Sequence, residues 1–376
     1  MESWSRVQIF NIGDDYFKSL RQDFRDAKKS ITLESYIFTF DNLTEGILDD
    51  LRQARERGVS VKIIIDGFGS YYSIPQLNRY CTLHNIELRI FHPLPYPSTW
   101  LRRLPHWPEK TWFSRMNRRN HRKISIIDEK IAYLGSLNFT QVHCAEFVGE
   151  HAWRDTGARL EGSPVKQLVI ASQITYLRTI FEGILHWVGR WRITPTPFNS
   201  PVQLNTTQKM RRFLYRGILR KITNAEKRVY ITTAYFLPKR SVLKALTKAA
   251  ERGVDVKILL PGKTDVPFVK WAAFFMVQFL LQKKIPIFEY QKSILHAKTM
   301  IIDGEAYVGS FNLNYRSLFH DLEVLARFDD PHTLQVMTDQ WGTDLQNARL
   351  ISEKDFGSSW LTRLIYRIAF RLRYML

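Results

Sequence analysis

Two stretches of the chain repeat one pattern of reactive side chains. His121, Lys123 and Asp128 stand in HxKxxxxD spacing, His296, Lys298 and Asp303 repeat it, and each copy is followed by GSxN: Gly135, Ser136 and Asn138, then Gly309, Ser310 and Asn312. A single match is weak, but two copies at corresponding places are not a chance occurrence. Two ammonium groups, two hydroxyls and two side-chain amides make a donor-rich cradle for a tetrahedral oxyanion, with phosphate the obvious guest. No carboxylate pair or His/Cys cluster in the sequence offers a divalent metal site, and no cofactor is expected. One imidazole can then attack phosphorus while the other protonates the leaving alcohol, which gives a covalent phosphohistidine and a two-step reaction. Each imidazole needs its second nitrogen fixed, and Asp155 and Glu323 are candidates for that role. Asp128 and Asp303 complete the catalytic motifs, but we assign them mainly to holding strand geometry. Paired histidines are more often satisfied surface or core groups; the duplication argues against that reading here.

The elements that must position these groups are also duplicated. ITLESYIF from Ile31 leads through a helical stretch to ERGVSVKIIID, and VYITTAYF from Val229 leads to ERGVDVKILLP, with Gly58 and Gly253, like Lys62 and Lys257, offset by 195 residues. Leu48, Leu51 and Ala54 in one copy and Leu243, Leu246 and Ala249 in the other lie at helical spacing between two β-rich runs. This is a βαβ unit used twice. Period two then puts His121, Lys123 and Ser125 on one strand face with Ile124 and Ile126 turned to the core, and a hairpin returns Ser136 and Asn138 to the same face. The second hairpin is one residue shorter, five residues separating Asp303 from Gly309 against six between Asp128 and Gly135. Strand-like pieces follow, each with an acid four residues before an arginine: Asp155 to Arg159 and Glu323 to Arg327.

The 376 residues carry a net charge of +19, which points to an anionic partner: nucleic acid, a phospholipid surface or a phosphorylated substrate. Two cysteines, Cys81 and Cys144, exclude a disulfide framework and favour a reducing compartment. No signal peptide is apparent, and the longest strongly apolar run, Trp271 to Leu281, is shorter than the roughly 20 residues a spanning helix needs. We therefore expect an α/β fold of two tandem domains, residues 1–195 and 196–356, joined by the Pro/Thr/Ser-rich stretch Ile193 to Pro201. The first domain carries an insertion at 93–120 whose prolines rule out a continuous helix, and residues 357–376 form a basic amphipathic helix.

The duplicated HxKxxxxD with GSxN resembles the phospholipase D superfamily over nearly the whole chain. Within it, LESYIF, Glu56-Arg57-Gly58-Val59, Trp153-Arg154-Asp155-Thr156 with RLEG, DVPFVKWAAFF before IFEYQKSILHAK, and FNLNYRS are similar to bacterial cardiolipin synthases, most closely the short form without transmembrane helices. The resemblance implies two α-β-α sandwich domains related by a pseudo-twofold axis, one active site at their interface, and transfer of a phosphatidyl group between alcohols. It implies His121 as nucleophile, His296 as general acid then base, Lys123 and Lys298 as phosphate ligands, and Ser136, Asn138, Ser310 and Asn312 beside them. It also implies a protein peripheral on the cytoplasmic face of the bacterial inner membrane. Asn314 departs from the usual aspartate, and His320-Asp321-Leu322-Glu323 from a more usual asparagine-containing version. Hydrolysis, as a phospholipase D or a nuclease, would use the same residues and is the alternative.

The surfaces favour lipid over nucleic acid as partner. The insertion sets Trp100, Trp107 and Trp112 among Arg102, Arg103, Lys110, Arg115, Arg118 and Arg119, a combination suited to a headgroup interface, with base stacking the rival reading. At the C-terminus Arg363, Arg367 and Arg371 recur every four residues opposite Leu361, Leu364, Ile365, Ile368 and Phe370, the pattern of a helix lying in a membrane interface. The run Phe268 to Leu281 is apolar nearly all round and reads as core.

Overall fold

A computed structural model describes residues 2–94, 117–180, 197–352, 355 and 360–372. The first half comprises β1 (Trp4–Phe10), α1 (Gly13–Asp26), β2 (Ser30–Ser35), α2 (Asn42–Glu56), β3 (Ser60–Asp66), α3 (Ile74–Leu83), β4 (Glu87–Phe91), β5 (Ile124–Ile127), β6 (Ile131–Gly135), α4 (Ala145–Val148), β7 (Gly157–Gly162) and α5 (Val165–Ile180). The second comprises β8 (Val202–Leu204), α6 (Gln208–Thr223), β9 (Arg228–Thr232), α7 (Arg240–Glu251), β10 (Asp255–Lys263), α8 (Pro267–Gln282), β11 (Ile287–Ile294), β12 (Thr299–Ile302), β13 (Glu305–Gly309), α9 (Tyr315–Phe319), β14 (Val324–Phe328), α10 (Pro331–Gln346), β15 (Ala348–Leu350) and α11 (Trp360–Leu372).

The strand order β1-β7-β6-β5-β2-β3-β4 recurs as β8-β14-β13-β12-β9-β10-β11, with β15 added at the far edge. In each sheet three parallel strands joined by crossover helices meet an antiparallel set carrying the histidine hairpin. The local code is visible in α2. Asp41 caps its N-terminus in a reciprocal box with Thr44, and Leu48, Leu51 and Ala54 are buried on one face. Gly58, at φ +91°, then ends the helix in a conformation that a side chain disfavours, as Gly253 does at φ +89° after α7.

Alternation along the strands divides the core into three layers. Ile127 belongs to an outer layer with Leu20, Phe24, Leu48 and Ile63, and Ile258, Leu246 and Ile218 form its counterpart in the second half. Ile124 and Ile126 face a middle layer shared by both sheets, where they join Leu134, Leu259, Ile301, Val308 and Phe328, with Leu168 of α5 and Trp341 of α10. The core these isoleucines face is thus the seam between the halves. Burying each such side chain is worth about 1.5–3 kcal/mol, so separating the halves would expose the same apolar surface that holds their strands.

The shorter second hairpin leaves the register unchanged. Ile124 pairs with Leu134 and Thr299 with Val308, so the missing residue is absorbed in the turn: Asp128-Glu129-Lys130 in one half, Asp303-Gly304 in the other. The C-terminal helix begins at Trp360 and packs on α8, Tyr366 stacking on Phe274 at 4.1 Å and Phe370 meeting Phe275 at 5.5 Å. Trp100, Arg102, Arg103, Trp107, Lys110, Trp112 and Arg115 of the insertion, and residues 181–196 around the expected domain boundary, lie outside the described residues.

Candidate active site

Backbone pairing across the seam fixes the two histidines. The N–H of His121 donates to Leu322 O at 3.0 Å, and that of Leu322 donates to Arg119 O at 2.8 Å. On the other side Arg154 N–H donates to Ile294 O, and His296 N–H returns to Arg154 O, both at 2.8 Å. Each histidine segment is therefore laced to the residue that precedes a carboxylate of the opposite half. The side chains follow this crossing. His121 Nδ1 lies 3.0 Å from Glu323, and His296 Nδ1 lies 2.8 Å from Asp155. A carboxylate at Nδ1 holds the proton there and leaves Nε2 as the free nitrogen. Among the described residues no hydrogen bond engages Nε2 of either ring.

The two lysines adopt matching poses, Lys123 Nζ donating to His121 O at 2.8 Å and Lys298 Nζ to His296 O at 2.6 Å. Burial lowers Lys123 to a pKa of about 7, helped by the charge of Lys298, and burial lowers Lys298 to about 8. His121 is pushed well below its ordinary value by burial and then by Lys123 and Lys298; His296 falls to about 4 through burial and Lys298. That Lys298 acts on both members of the first motif places the two copies in one electrostatic site. Both imidazoles are neutral at pH 7 in the free protein, as a nucleophilic nitrogen requires, and a phosphodiester anion entering the site would favour the protonated form of its neighbours. The carboxylates differ. Burial raises Glu323 to about 7, whereas for Asp155 burial is outweighed by the imidazoles of His143 and His296, which hold it well below the usual carboxylate range.

Several expected roles change. Ser136 and Ser310 were expected in the phosphate cradle, but both are fully buried and their hydroxyls are engaged in the protein. Ser136 Oγ donates to Thr156 O and accepts from Thr156 N–H, while Ser310 Oγ donates to Glu323 and accepts from Val324 N–H. They hold the carboxylate-bearing segments, because GSxN turns back beside those segments. Asn138 Oδ1 accepts from Ile37 N–H at 3.2 Å, whereas Asn312 Oδ1 is buried without a hydrogen-bond partner among the described residues. Asp128 and Asp303, counted with the catalytic motifs, lie at the remote end of their strands, and each accepts backbone N–H groups only. Asp128 takes those of Lys28, Lys29 and Ser30 at 2.6–2.9 Å, and Asp303 those of Glu226, Lys227 and Arg228. Both sit at positive φ, 52° and 51°, which aims the carboxylate at the start of β2 or β9. Arg119, expected as a surface cation, is buried with Asp66 at 3.7 Å.

Other residues of the site stand outside the defining positions of HxKxxxxD and GSxN. Tyr36 places its ring 5.0 Å from that of His121 and lies under the Lys123 ammonium at 5.2 Å, and Trp153 stands 5.3 Å from His296. Fully buried Arg122 reaches Glu323 O, Thr175 and Thr206, tying the first motif to the second half. Asn314, the departure from aspartate, caps α9 by accepting Ser317 N–H at 2.9 Å.

Comparison with known proteins matches residues 20–153 and 218–344 to the family model "Cardiolipin synthase, PLD-like domain". The chain belongs to this family. Relatives among the cardiolipin synthases include cardiolipin synthase B of Shigella flexneri, 29% identical over 90% of this chain and 80% of that one. The cardiolipin synthase of Staphylococcus aureus is 31% identical over 90% of this chain and 67% of its own length. The fold also matches the crystal structure of phosphatidylserine synthase from Haemophilus influenzae, with a TM-score of 0.74, 13% identity and coverage of 100% of this chain and 97% of that one. The two matched stretches of the cardiolipin synthase family model carry one HxKxxxxD copy each, so the duplication read in the sequence is the family's own repeat.

Proposed function

We propose that this cardiolipin synthase family member transfers a phosphatidyl group between phospholipid alcohols, converting two phosphatidylglycerol molecules to cardiolipin and glycerol. The carrying observation is the crossed pair of carboxylate-fixed imidazoles with two buried ammonium groups beside them. Binding of the phosphodiester anion is accompanied by uptake of a proton from solvent onto His296 Nε2. In the first step His121 Nε2 then donates its lone pair to phosphorus, the bond from phosphorus to the glycerol oxygen breaks, and the His296 imidazolium gives its Nε2 proton to the departing alkoxide. In the second, neutral His296 takes the proton of the incoming lipid hydroxyl, whose oxygen attacks phosphorus and displaces His121. Glu323 and Asp155 stabilise the cationic ring each faces, and Lys123 and Lys298 neutralise the phosphoryl oxygens. Assignment of His121 rather than His296 as nucleophile follows the family resemblance.

The membrane partner is part of this reading. Trp360, Leu364, Ile365 and Ile368 of α11 are exposed beside Trp271 and Phe279 of α8, and Arg367 and Arg371 are exposed on the same helix. Exposed apolar side chains interleaved with cations suit an anionic lipid surface, with the protein lying on the cytoplasmic leaflet. Among the described residues no helix is long and apolar enough to cross a membrane. Incubation of purified protein with labelled phosphatidylglycerol, read by lipid mass spectrometry, tests the reaction. Cardiolipin as the main product supports it; phosphatidic acid alone would identify a hydrolase instead.

A further inference from the structure

Asp155 accepts from two imidazoles. Its Oδ1 faces His296 Nδ1 at 2.8 Å and its Oδ2 faces His143 Nδ1 at 2.7 Å, while His143 Nε2 accepts the backbone N–H of Asn138 at 3.1 Å. An acceptor bond at Nε2 leaves the proton of His143 on Nδ1, so the ring links the GSxN turn to the carboxylate in one tautomer. The second half repeats this linkage with a different residue. Asn312 N–H donates to Ser317 Oγ at 3.3 Å, and that hydroxyl donates to Glu323 Oε1 at 2.5 Å. His143 and Ser317 each stand five residues after the motif asparagine, so the duplication has kept the relay and changed its material.

We propose that His143 is a positioning residue that clamps Asp155 through Oδ2, keeping it ionised and presenting Oδ1 to His296, and that its replacement by Ser317 makes the two active-site histidines inequivalent. This assignment rests on His296 being the proton-transfer group. His143 is fully enclosed, its ring 6.0 Å from that of His296 and edge-on to Trp153 at 5.6 Å, so it touches the carboxylate and leaves the free Nε2 of His296 untouched. The other ionisable groups around Asp155 are Lys123, Lys298, Cys144 and Tyr235, all of which sense its charge, and Arg154, whose guanidinium is turned to Asp344. None of these gives Oδ2 a second hydrogen bond. Loss of the His143 donor raises the proton affinity of the Asp155–His296 pair, because a buried carboxylate with fewer N–H donors is more easily protonated.

The test compares His143→Leu, which fills the space without a donor, with His143→Asn, whose amide restores a donor near the position of Nδ1. In His143→Leu we expect kcat for phosphatidylglycerol to fall about tenfold with KM within twofold, and the acid limb of the pH–kcat profile to move up by about one pH unit. His143→Asn should return the limb to its wild-type position. A His143→Leu profile superimposable on wild type, or equal losses in both variants with an unmoved acid limb, overturns the proposal. Titration of 15N-histidine-labelled protein, followed at His296 Nδ1, reads the same shift without turnover. An inactive wild type would therefore defeat the functional reading, while an unshifted titration in His143→Leu would defeat this one.

Discussion

His296 Nδ1 lies 2.8 Å from Oδ1 of Asp155, a residue 141 positions earlier and in the opposite half of the molecule. His121 and Glu323 make the reciprocal pair over 202 positions. Neither half therefore holds a working histidine alone, and the shared apolar layer that keeps the sheets together also sets the tautomers. Asp155→Asn would keep the shape but present an amide that can turn its N–H to Nδ1 and invert the tautomer. A comparable asparagine substitution in a Ser-His-Asp triad costs about 10⁴ in kcat. We expect Asp155→Asn and Glu323→Gln each to lose on the order of 10³–10⁴ in kcat with an unchanged circular dichroism spectrum. Activity within tenfold of wild type would contradict the crossed arrangement.

The lysines give a pH dependence of definite sign. A lysine carries its charge below its pKa, so the free protein holds both ammonium groups below about pH 7 and loses that of Lys123, at about 7, before that of Lys298, at about 8. Since kcat/KM reports the free enzyme and both ammonium groups face the phosphate, it should fall as pH rises above about 7 and more steeply above about 8. The corresponding limb of kcat should lie at higher pH, because a bound phosphodiester anion favours the charged lysines. Pre-steady-state and steady-state profiles across pH 6–10 check this. In the same terms, inorganic phosphate should raise the melting temperature of wild type, with about 2.7 kcal/mol of stabilisation at a hundred times its Kd, and should not do so in a Lys123→Met, Lys298→Met double variant.

Asp128 and Asp303 should behave as structural residues. The backbone N–H groups on each carboxylate hold it below its ordinary pKa against the opposing effect of partial burial. A depressed carboxylate pKa contributes stability above the unfolded value of about 3.8 that is lost as pH falls through the folded value. We expect Asp128→Ala and Asp303→Ala each to cost about 2 kcal/mol at pH 7, the order of one hydrogen bond to a charged group, and much less near pH 2. Denaturant unfolding at the two pH values measures this. Where the variant is folded, kcat should stay within tenfold of wild type.

The exposed face of α11 predicts a salt-dependent membrane affinity. Arg367→Glu with Arg371→Glu should weaken sedimentation with phosphatidylglycerol vesicles about tenfold or more, since each cation near an anionic surface is worth about 1 kcal/mol. Turnover of a short-chain, water-soluble phosphatidylglycerol should be unchanged. Equal binding of wild type and variant to anionic vesicles would remove the helix from the membrane surface.

Much of this arrangement was legible in the sequence, because period-two alternation and the paired glycines at 58 and 253 report local backbone demands directly. His121, Lys123, His296 and Lys298 could be grouped from spacing, and Asp155 and Glu323 chosen from their place ahead of the last strands. Which carboxylate serves which ring was hidden, since it depends on how Leu322 and Arg154 pair across the seam. The surroundings of the serines are hidden for a related reason: alternation tells which face Ser136 and Ser310 occupy, but not that Thr156 and Glu323 engage their hydroxyls. His143 carried one signal, its equal distance with Ser317 from the GSxN asparagine, which becomes visible only once the two copies are aligned through the turn. Tyr36 gave none beyond its place in LESYIF.

The most direct measurement is the identity of the covalent intermediate. Wild-type protein mixed with phosphatidylglycerol labelled at its phosphate, stopped with detergent at neutral pH within one turnover and digested, should yield a peptide carrying a phosphatidyl group on His121, absent in His121→Ala. Cardiolipin formation at the wild-type rate by His121→Ala, or turnover without label on either His121 or His296, would contradict the account.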